Sequence, residues 1–161
     1  MGAYGLGQRL DVPPAEAQKI LDSYFAAFPR IEAYMEECVQ SAREHGFTTT
    51  LFGRRRLLPE LTSENFRIRQ MGERMAQNAP VQGTAADLFK GAMIRTAQQL
   101  DASGLGGRMV LTVHDELVLE VPVGERAATE ALVRGAMEGA AELRVPLVVD
   151  VGFGATWADA K

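Results

Sequence analysis

The chain has 161 residues, of which 47% are hydrophobic and 24% charged, a composition typical of a globular protein and not of a disordered one. It contains no apolar run of about eighteen residues and no basic segment followed by an apolar core, so we expect neither a membrane span nor a signal peptide. Cys38 is the only cysteine and there are two histidines, which excludes an internal disulfide and argues against a zinc cage.

The net charge of −4 conceals an uneven distribution along the chain. Residues 1–42 sum to −3, 43–74 to +3, 75–114 to +1 and 115–161 to −5. Arginine outnumbers lysine 14 to 3, and arginine forms forked contacts with phosphate and with base edges. The net charge therefore does not exclude nucleic acid as a partner.

The first third of the chain predicts two amphipathic helices and a hairpin. Apolar residues recur at helical spacing over residues 17–28 and again over 31–42, and a proline and a glycine respectively end these runs. Residues 47–58 predict a short β-hairpin with Gly53 at its turn.

The middle of the chain predicts two helices in succession. Ser63 is positioned to cap a helix that runs to about Gln77, after which Pro80 breaks or restarts it. Residues 84–87 fit a capping box, which would begin a second helix reaching about Ala102.

The last third predicts a hairpin, a helix and a strand. Two β-rich runs over residues 109–121 flank His114 and Asp115, residues 124–143 are helical by composition, and residues 145–152 predict a third strand of the same sheet. The prediction is therefore an α+β fold, in which helices pack against an antiparallel sheet made of the hairpin and the final strand.

Two adjacent carboxylates, Asp115 and Glu116, follow His114 at the predicted hairpin tip. Such carboxylates present oxygen ligands to Mg²⁺, and because consecutive strand residues face opposite ways, one would be the principal ligand and the other a helper. A solvated polar turn explains the same residues, and on local spacing alone it is the more common case. His114 is either a hydrogen-bonded turn residue or a donor to a sugar or phosphate oxygen.

Three hydrogen-bonding side chains, Arg74, Asn78 and Gln82, stand four residues apart. On a helix they would share a face, and such a stripe suits a nucleic-acid groove, although an ordinary solvated helix face is the alternative.

Arginines 54–56 beside the Gly53 turn form a basic tip that suits a phosphate backbone, and Arg56 is our candidate DNA contact there. A solvated turn paired with Glu60 and Glu64 explains them equally well.

Four segments of the sequence resemble family A DNA polymerases. VHDELVLEV (113–121) looks like the palm motif that carries the second catalytic aspartate, and ERMAQNAPVQGTAADLFK (73–90) is similar to the segment before the long palm helix. TLFGRRRLLPEL (50–61) resembles a hairpin of the fingers, and VPLVVDVGFGATW (145–157) resembles the closing strand and tail.

The resemblance implies nucleotidyl transfer to a primer 3′-hydroxyl at a site with two Mg²⁺ ions. Asp115 and Glu116 would be catalytic and metal-binding, and His114 would contact the primer terminus. Arg74, Asn78 and Gln82 would contact template or primer through the minor groove. The implied partners are primer–template DNA and deoxynucleoside triphosphates, with no membrane.

The resemblance also divides the chain into residues 1–70, part of the fingers, and 71–161, the C-terminal part of the palm. It places the first catalytic aspartate and the nucleotide-binding helix upstream, in a missing N-terminal part of the polymerase. We therefore expect an incomplete metal site and an inactive, truncated fragment of an enzyme of DNA replication and repair. The expected location is the bacterial cytoplasm, in association with the nucleoid.

Other interpretations of the sequence remain. A non-catalytic DNA-binding module would retain the function of Arg74, Asn78 and Gln82, here called the Arg74 stripe, and would not need Asp115. A metal-dependent phosphohydrolase around His114 is a different class, but His45 is the only other histidine. A viral-type or mitochondrial family A enzyme, or a fragment without a function of its own, is also compatible with the sequence.

Overall fold

The computed structural model describes residues 2–160, which form two compact units, the first ending at Val81 and the second beginning at Gln82. Within residues 2–160, no helix combines the length and the apolar character needed to cross a membrane.

The first unit is mainly helical. Its elements are helices α1 (Ala3–Leu10), α2 (Pro14–Ala27) and α3 (Pro29–His45), strands β1 (Phe47–Thr49) and β2 (Arg55–Leu57), a 3-10 turn (Pro59–Thr62), and the beginning of α4 (Phe66–Ser103). The two predicted helices and the hairpin are present, whereas α1 is a helix that periodicity does not predict. Gly46 ends α3 with a φ of 77° and donates its N–H to the Ala42 carbonyl, which is the conformation that favours glycine.

Leu58 lies at the centre of the core of this unit. It is 1% exposed and belongs to a cluster with Ala42 of α3, Leu61 of the 3-10 turn and Ala76 of α4. A Cβ added at Gly72 of α4 would lie 3.1 Å from the Leu61 backbone nitrogen, so glycine permits the close approach of α4 to the 3-10 turn. The cluster thus fixes α4 beside the base of the β1–β2 hairpin.

Helix α4 runs through Pro80 without a break, so the prediction of two successive helices is wrong. An interior proline removes one helical hydrogen bond and costs about 3 kcal/mol. Ala76, Ala79 and Pro80 are all buried, and this tertiary burial offsets the local preference. The predicted capping box at 84–87 lies in the helix interior for the same reason.

The start of α4 also differs from the prediction. Asn65 Oδ1 accepts the Arg67 N–H at 2.9 Å, while the Ser63 hydroxyl accepts the Asn65 N–H at 3.2 Å. Asn65 therefore caps the helix, and Ser63 stabilises the turn that precedes it.

The second unit contains the rest of α4, strands β3 (Arg108–Val113) and β4 (Glu116–Glu120), a 3-10 turn (Val123–Glu125), α5 (Arg126–Glu138) and a C-terminal 3-10 turn (Trp157–Ala160). Buried residues on α4 and α5 form its core: Ala92, Thr96, Leu100, Thr129, Val133 and Ala136. The α+β class is confirmed, with two two-stranded antiparallel sheets among the described residues.

The predicted third strand over 145–152 is wrong, because no strand is present in that stretch of the described chain. The Val149 N–H donates to Glu138 Oε1 at 3.1 Å, and the Val149 carbonyl accepts a hydrogen bond from Arg134. Side chains of α5 thus satisfy backbone groups that a neighbouring strand would otherwise satisfy.

Candidate functional site

The tip of the β3–β4 hairpin is a two-residue turn made of His114 and Asp115. Val113 pairs with Glu116, which leaves only these two residues between the strands. His114 has a φ of 53°, a left-handed conformation that costs a non-glycine residue about 1–2 kcal/mol. The turn exposes the imidazole and the Asp115 carboxylate.

The strand β3 contains a bulge just before this tip. Met109 pairs with Leu119 and Leu111 with Val118, so Val110 is an extra residue on β3. A bulge increases the local twist and changes the direction of the side chains that follow it. The bulge therefore contributes to the orientation of the turn residues.

Both candidate metal ligands, Asp115 and Glu116, are exposed. Asp115 lies in the turn itself and Glu116 is the first residue of β4. Their carboxylate oxygens are hard ligands of the kind that Mg²⁺ prefers, so they fit the ion in chemical type. Among residues 2–160, however, no group of three or more His, Cys, Asp or Glu side chains is placed to hold a metal ion.

One neighbour of this pair is not predicted from the sequence. Trp157 donates its indole Nε1–H to Glu116 Oε2 at 3.3 Å, across a separation of 41 residues. Trp157 is the only tryptophan of the chain, a conspicuous residue that local spacing does not connect to the hairpin.

The Arg74 stripe lies on α4, as its spacing predicts. Arg74, Asn78 and Gln82 are all exposed, whereas Ala76 and Ala79 between them are buried. Arg74 and Asn78 share a face of the helix within the first unit, because residues four apart are neighbours on a helix surface. Gln82 is on the same helix but begins the second unit.

The basic hairpin exposes arginines 54–56. Gly53 turns the chain with a φ of 81°, and the Thr50 hydroxyl accepts the Arg54 N–H at 3.1 Å. The Arg55 guanidinium lies 4.7 Å from the centre of the Phe47 ring, a cation–π contact. Arg56 is opposite Thr48 in the ladder and is exposed, as a phosphate contact requires.

The sequence and the fold both match known DNA polymerases. The family described as DNA polymerase family A matches residues 1–159. DNA polymerase I of Mycobacterium bovis is 49% identical over 157 residues, which are 98% of this chain and 17% of that protein. DNA polymerase I of Bacillus caldotenax is 49% identical over 158 residues, 98% of this chain and 18% of that protein.

A solved structure has the same fold. It is the POL domain of Pol1 from M. smegmatis in complex with DNA primer-template and dNTP, with a TM-score of 0.95 and 46% sequence identity. The match covers 99% of this chain and 28% of that one. The chain thus spans less than a fifth of the length of these curated relatives.

Proposed function

The chain belongs to DNA polymerase family A, and from this membership we propose that it forms part of an enzyme for template-directed DNA synthesis in replication and repair. The observation that carries the proposal is the exposed run His114–Asp115–Glu116 at the tip of the β3–β4 hairpin, in a chain 46% identical to a polymerase domain solved with DNA and dNTP. We assign residues 1–70 to the fingers and 71–161 to the palm. The bacterial sources of the relatives support a location in the bacterial cytoplasm, and association with the nucleoid follows from the proposed contact with DNA.

The proposed reaction joins the primer 3′-hydroxyl oxygen to the α-phosphorus of a deoxynucleoside triphosphate and releases pyrophosphate. Asp115 is the principal metal ligand and Glu116 the auxiliary carboxylate beside it. When bound, Mg²⁺ lowers the pKa of the attacking hydroxyl and neutralises charge on the attacking and leaving oxygens. His114 holds the primer terminus by a hydrogen bond from its exposed imidazole.

The exposed polar residues of α4 are the proposed DNA contacts. Arg74, Asn78 and Gln82 donate to minor-groove acceptors, which occupy similar positions in every correct base pair and therefore report fit without reading sequence. Arg56 on the basic hairpin contacts backbone phosphate.

We propose further that residues 1–161 do not extend a primer without the rest of the polymerase. This proposal is supported by the surroundings of Asp115, where the described residues form no group of three or more His, Cys, Asp or Glu side chains that could hold a metal ion. The purified chain should therefore show no extension with Mg²⁺, primer–template and all four nucleotides. Measurable extension by this chain would refute the requirement for an upstream aspartate and nucleotide-binding helix.

The role of Asp115 is tested in the complete polymerase that contains these residues. Asp115→Asn should reduce primer extension by about 100-fold or more, with DNA affinity within about twofold, because it removes the ligand charge and keeps the side-chain shape. Asp101→Asn, at an exposed aspartate near the end of α4, is the matched control and should extend normally. Normal extension by Asp115→Asn would refute the metal-ligand role, and a DNA-binding module would then be the better interpretation.

A further inference from the structure

The segment after α5 returns to the tip of the β3–β4 hairpin. Its Trp157 indole donates to Glu116 Oε2 at 3.3 Å, and the tryptophan side chain is partly covered, at 42% exposure. Both residues belong to the second unit. The contact therefore joins the C-terminal end of the chain to the carboxylate that we propose assists Asp115.

Contacts with α5 hold this segment along its length. Arg134 and Glu138 bind the carbonyl and the N–H of Val149, respectively. Further along, the Arg126 guanidinium lies 5.6 Å from the centre of the Phe153 ring. These contacts tie the segment to α5 on both sides of Gly152.

The turn that carries Trp157 is built by a local cap and a close packing contact. Thr156 donates to Asp159 Oδ2 from its hydroxyl at 2.6 Å and from its N–H at 3.2 Å. A Cβ added at Gly154 would lie 2.6 Å from the carbonyl carbon of Asp159, and one at Gly152 would overlap the carbonyl oxygen of Ala160. Glycine is required at both positions if the turn is to pack in this way.

We propose that Trp157 is a positioning residue for Glu116. The indole N–H is a neutral donor that cannot accept, so it holds the carboxylate in one orientation without cancelling its charge. The hydrogen bond uses Oε2 of this carboxylate. This role rests on the proposed function, in which Glu116 is the auxiliary carboxylate.

The hydrogen bond itself is tested by NMR on the 161-residue chain, which gives a single indole N–H signal because it has one tryptophan. Glu116→Gln should move that signal upfield and accelerate its exchange with solvent, since a neutral acceptor binds more weakly than a carboxylate. Gly154→Ala should do the same by displacing the turn. Glu120→Gln is the matched control on the same strand, where Glu120 pairs with Arg108, and it should leave the signal in place.

An indole signal that responds neither to Glu116→Gln nor to Gly154→Ala would overturn the proposal. The backbone amide spectrum of each variant shows whether it is folded. If Gly154→Ala prevents folding, Glu116→Gln alone decides between the outcomes.

The functional consequence is tested in the complete polymerase under single-turnover conditions. Trp157→Phe keeps the ring and removes the N–H, so the rate of nucleotide addition should fall about five- to tenfold while the Kd for DNA and for dNTP stay within twofold. Because Trp157 acts through Glu116, the double variant with Glu116→Gln should be no slower than Glu116→Gln alone. Tyr4→Phe, which removes an exposed phenolic hydroxyl that accepts a hydrogen bond from Gln8 on α1, is the control and should be unaffected.

The outcomes separate this proposal from the one on which it rests. If Asp115→Asn abolishes extension and Trp157→Phe retains the full rate, only the positioning role is refuted. Additive effects of Trp157→Phe and Glu116→Gln would also refute it, because they indicate a general structural effect. If Asp115→Asn extends normally, the proposed function fails, and the NMR result stands independently of it.

Discussion

Replacing Leu58 with alanine should destabilise the first unit and leave the second unit largely unchanged. Leu58 directly follows β2, its N–H donates to the Gly46 carbonyl at 2.9 Å, and its side chain is 1% exposed. It therefore joins the end of the hairpin that carries Arg56 to the helices of the first unit. Its neighbour Leu57 is 74% exposed and provides a matched control with the same change in side chain.

The expected loss follows from the surroundings of Leu58. Truncating a leucine in a closed, buried site to alanine lowers the free energy of unfolding by about 2.7–5.0 kcal/mol. The loss increases with the volume of the cavity that remains. The core neighbours Ala42 and Ala76 end at Cβ and lie on helices, so they cannot extend into the space. We expect Leu58→Ala to lower the free energy of unfolding by about 3–4 kcal/mol, and Leu57→Ala by less than about 0.5 kcal/mol.

Urea titration of the chain measures both changes. With an unfolding slope of about 2 kcal/mol per molar urea, the far-UV circular dichroism midpoint of Leu58→Ala should fall by about 2 M. Fluorescence of Trp157, which lies in the second unit, separates loss of the first unit from loss of the whole chain. If Leu58→Ala and Leu57→Ala shift the midpoint equally, the core described around Leu58 is wrong.

Two further predictions concern the proposed site. Replacing His114 with glycine removes the strain of its positive φ, so urea titration should show a free energy of unfolding about 1 kcal/mol higher. Primer extension by the complete polymerase should fall in the same variant. A stabilised variant with normal extension would show that the imidazole has no role. Arg74→Ala should weaken primer–template binding and reduce the slope of log affinity against log salt by about one, measured by fluorescence anisotropy, and it should lower fidelity in an error-rate assay. Arg30→Ala, at an exposed residue of α3, is the control and should change none of these quantities. Equal effects of the two variants would contradict a specific contact of Arg74 with DNA.

Elements whose signals are local could be predicted from the sequence. The helices α2 and α3 follow from apolar periodicity, and prolines stand at the first helical turn of each. The turns at Gly46 and Gly53 have positive φ values of 77° and 81°, so the residue type at each position reflects a conformational requirement. In these elements the local preference and the tertiary structure agree.

The errors occur where residues far apart in sequence determine the backbone. Pro80 predicts a break, but burial of α4 around it maintains one helix of 38 residues. Residues 145–152 have the composition of a strand, but Arg134 and Glu138 of α5 bind the Val149 backbone instead. Neither the burial of α4 around Pro80 nor the binding of the Val149 backbone by α5 has a local sequence signature, so periodicity and propensity could not predict either one.

The candidate site could be predicted only in part for the same reason. The motif places His114, Asp115 and Glu116 together because they are consecutive, whereas the contact of Trp157 with Glu116 depends on the path of the whole C-terminal segment. By contrast, the exposure of Arg74 and Asn78 on one face follows from their spacing once α4 is helical.

The backbone at His114 bears on the choice between a solvated polar turn and a functional one. Two-residue hairpin turns favour asparagine, aspartate or glycine where φ is positive, because these residues adopt that conformation at little cost. A turn selected only for solubility would gain stability from glycine at this position, yet the chain has histidine there with a φ of 53°. Strain at an exposed imidazole next to two carboxylates favours a role for the side chain itself. The predicted gain in stability of His114→Gly, set against its loss of extension, distinguishes the two interpretations.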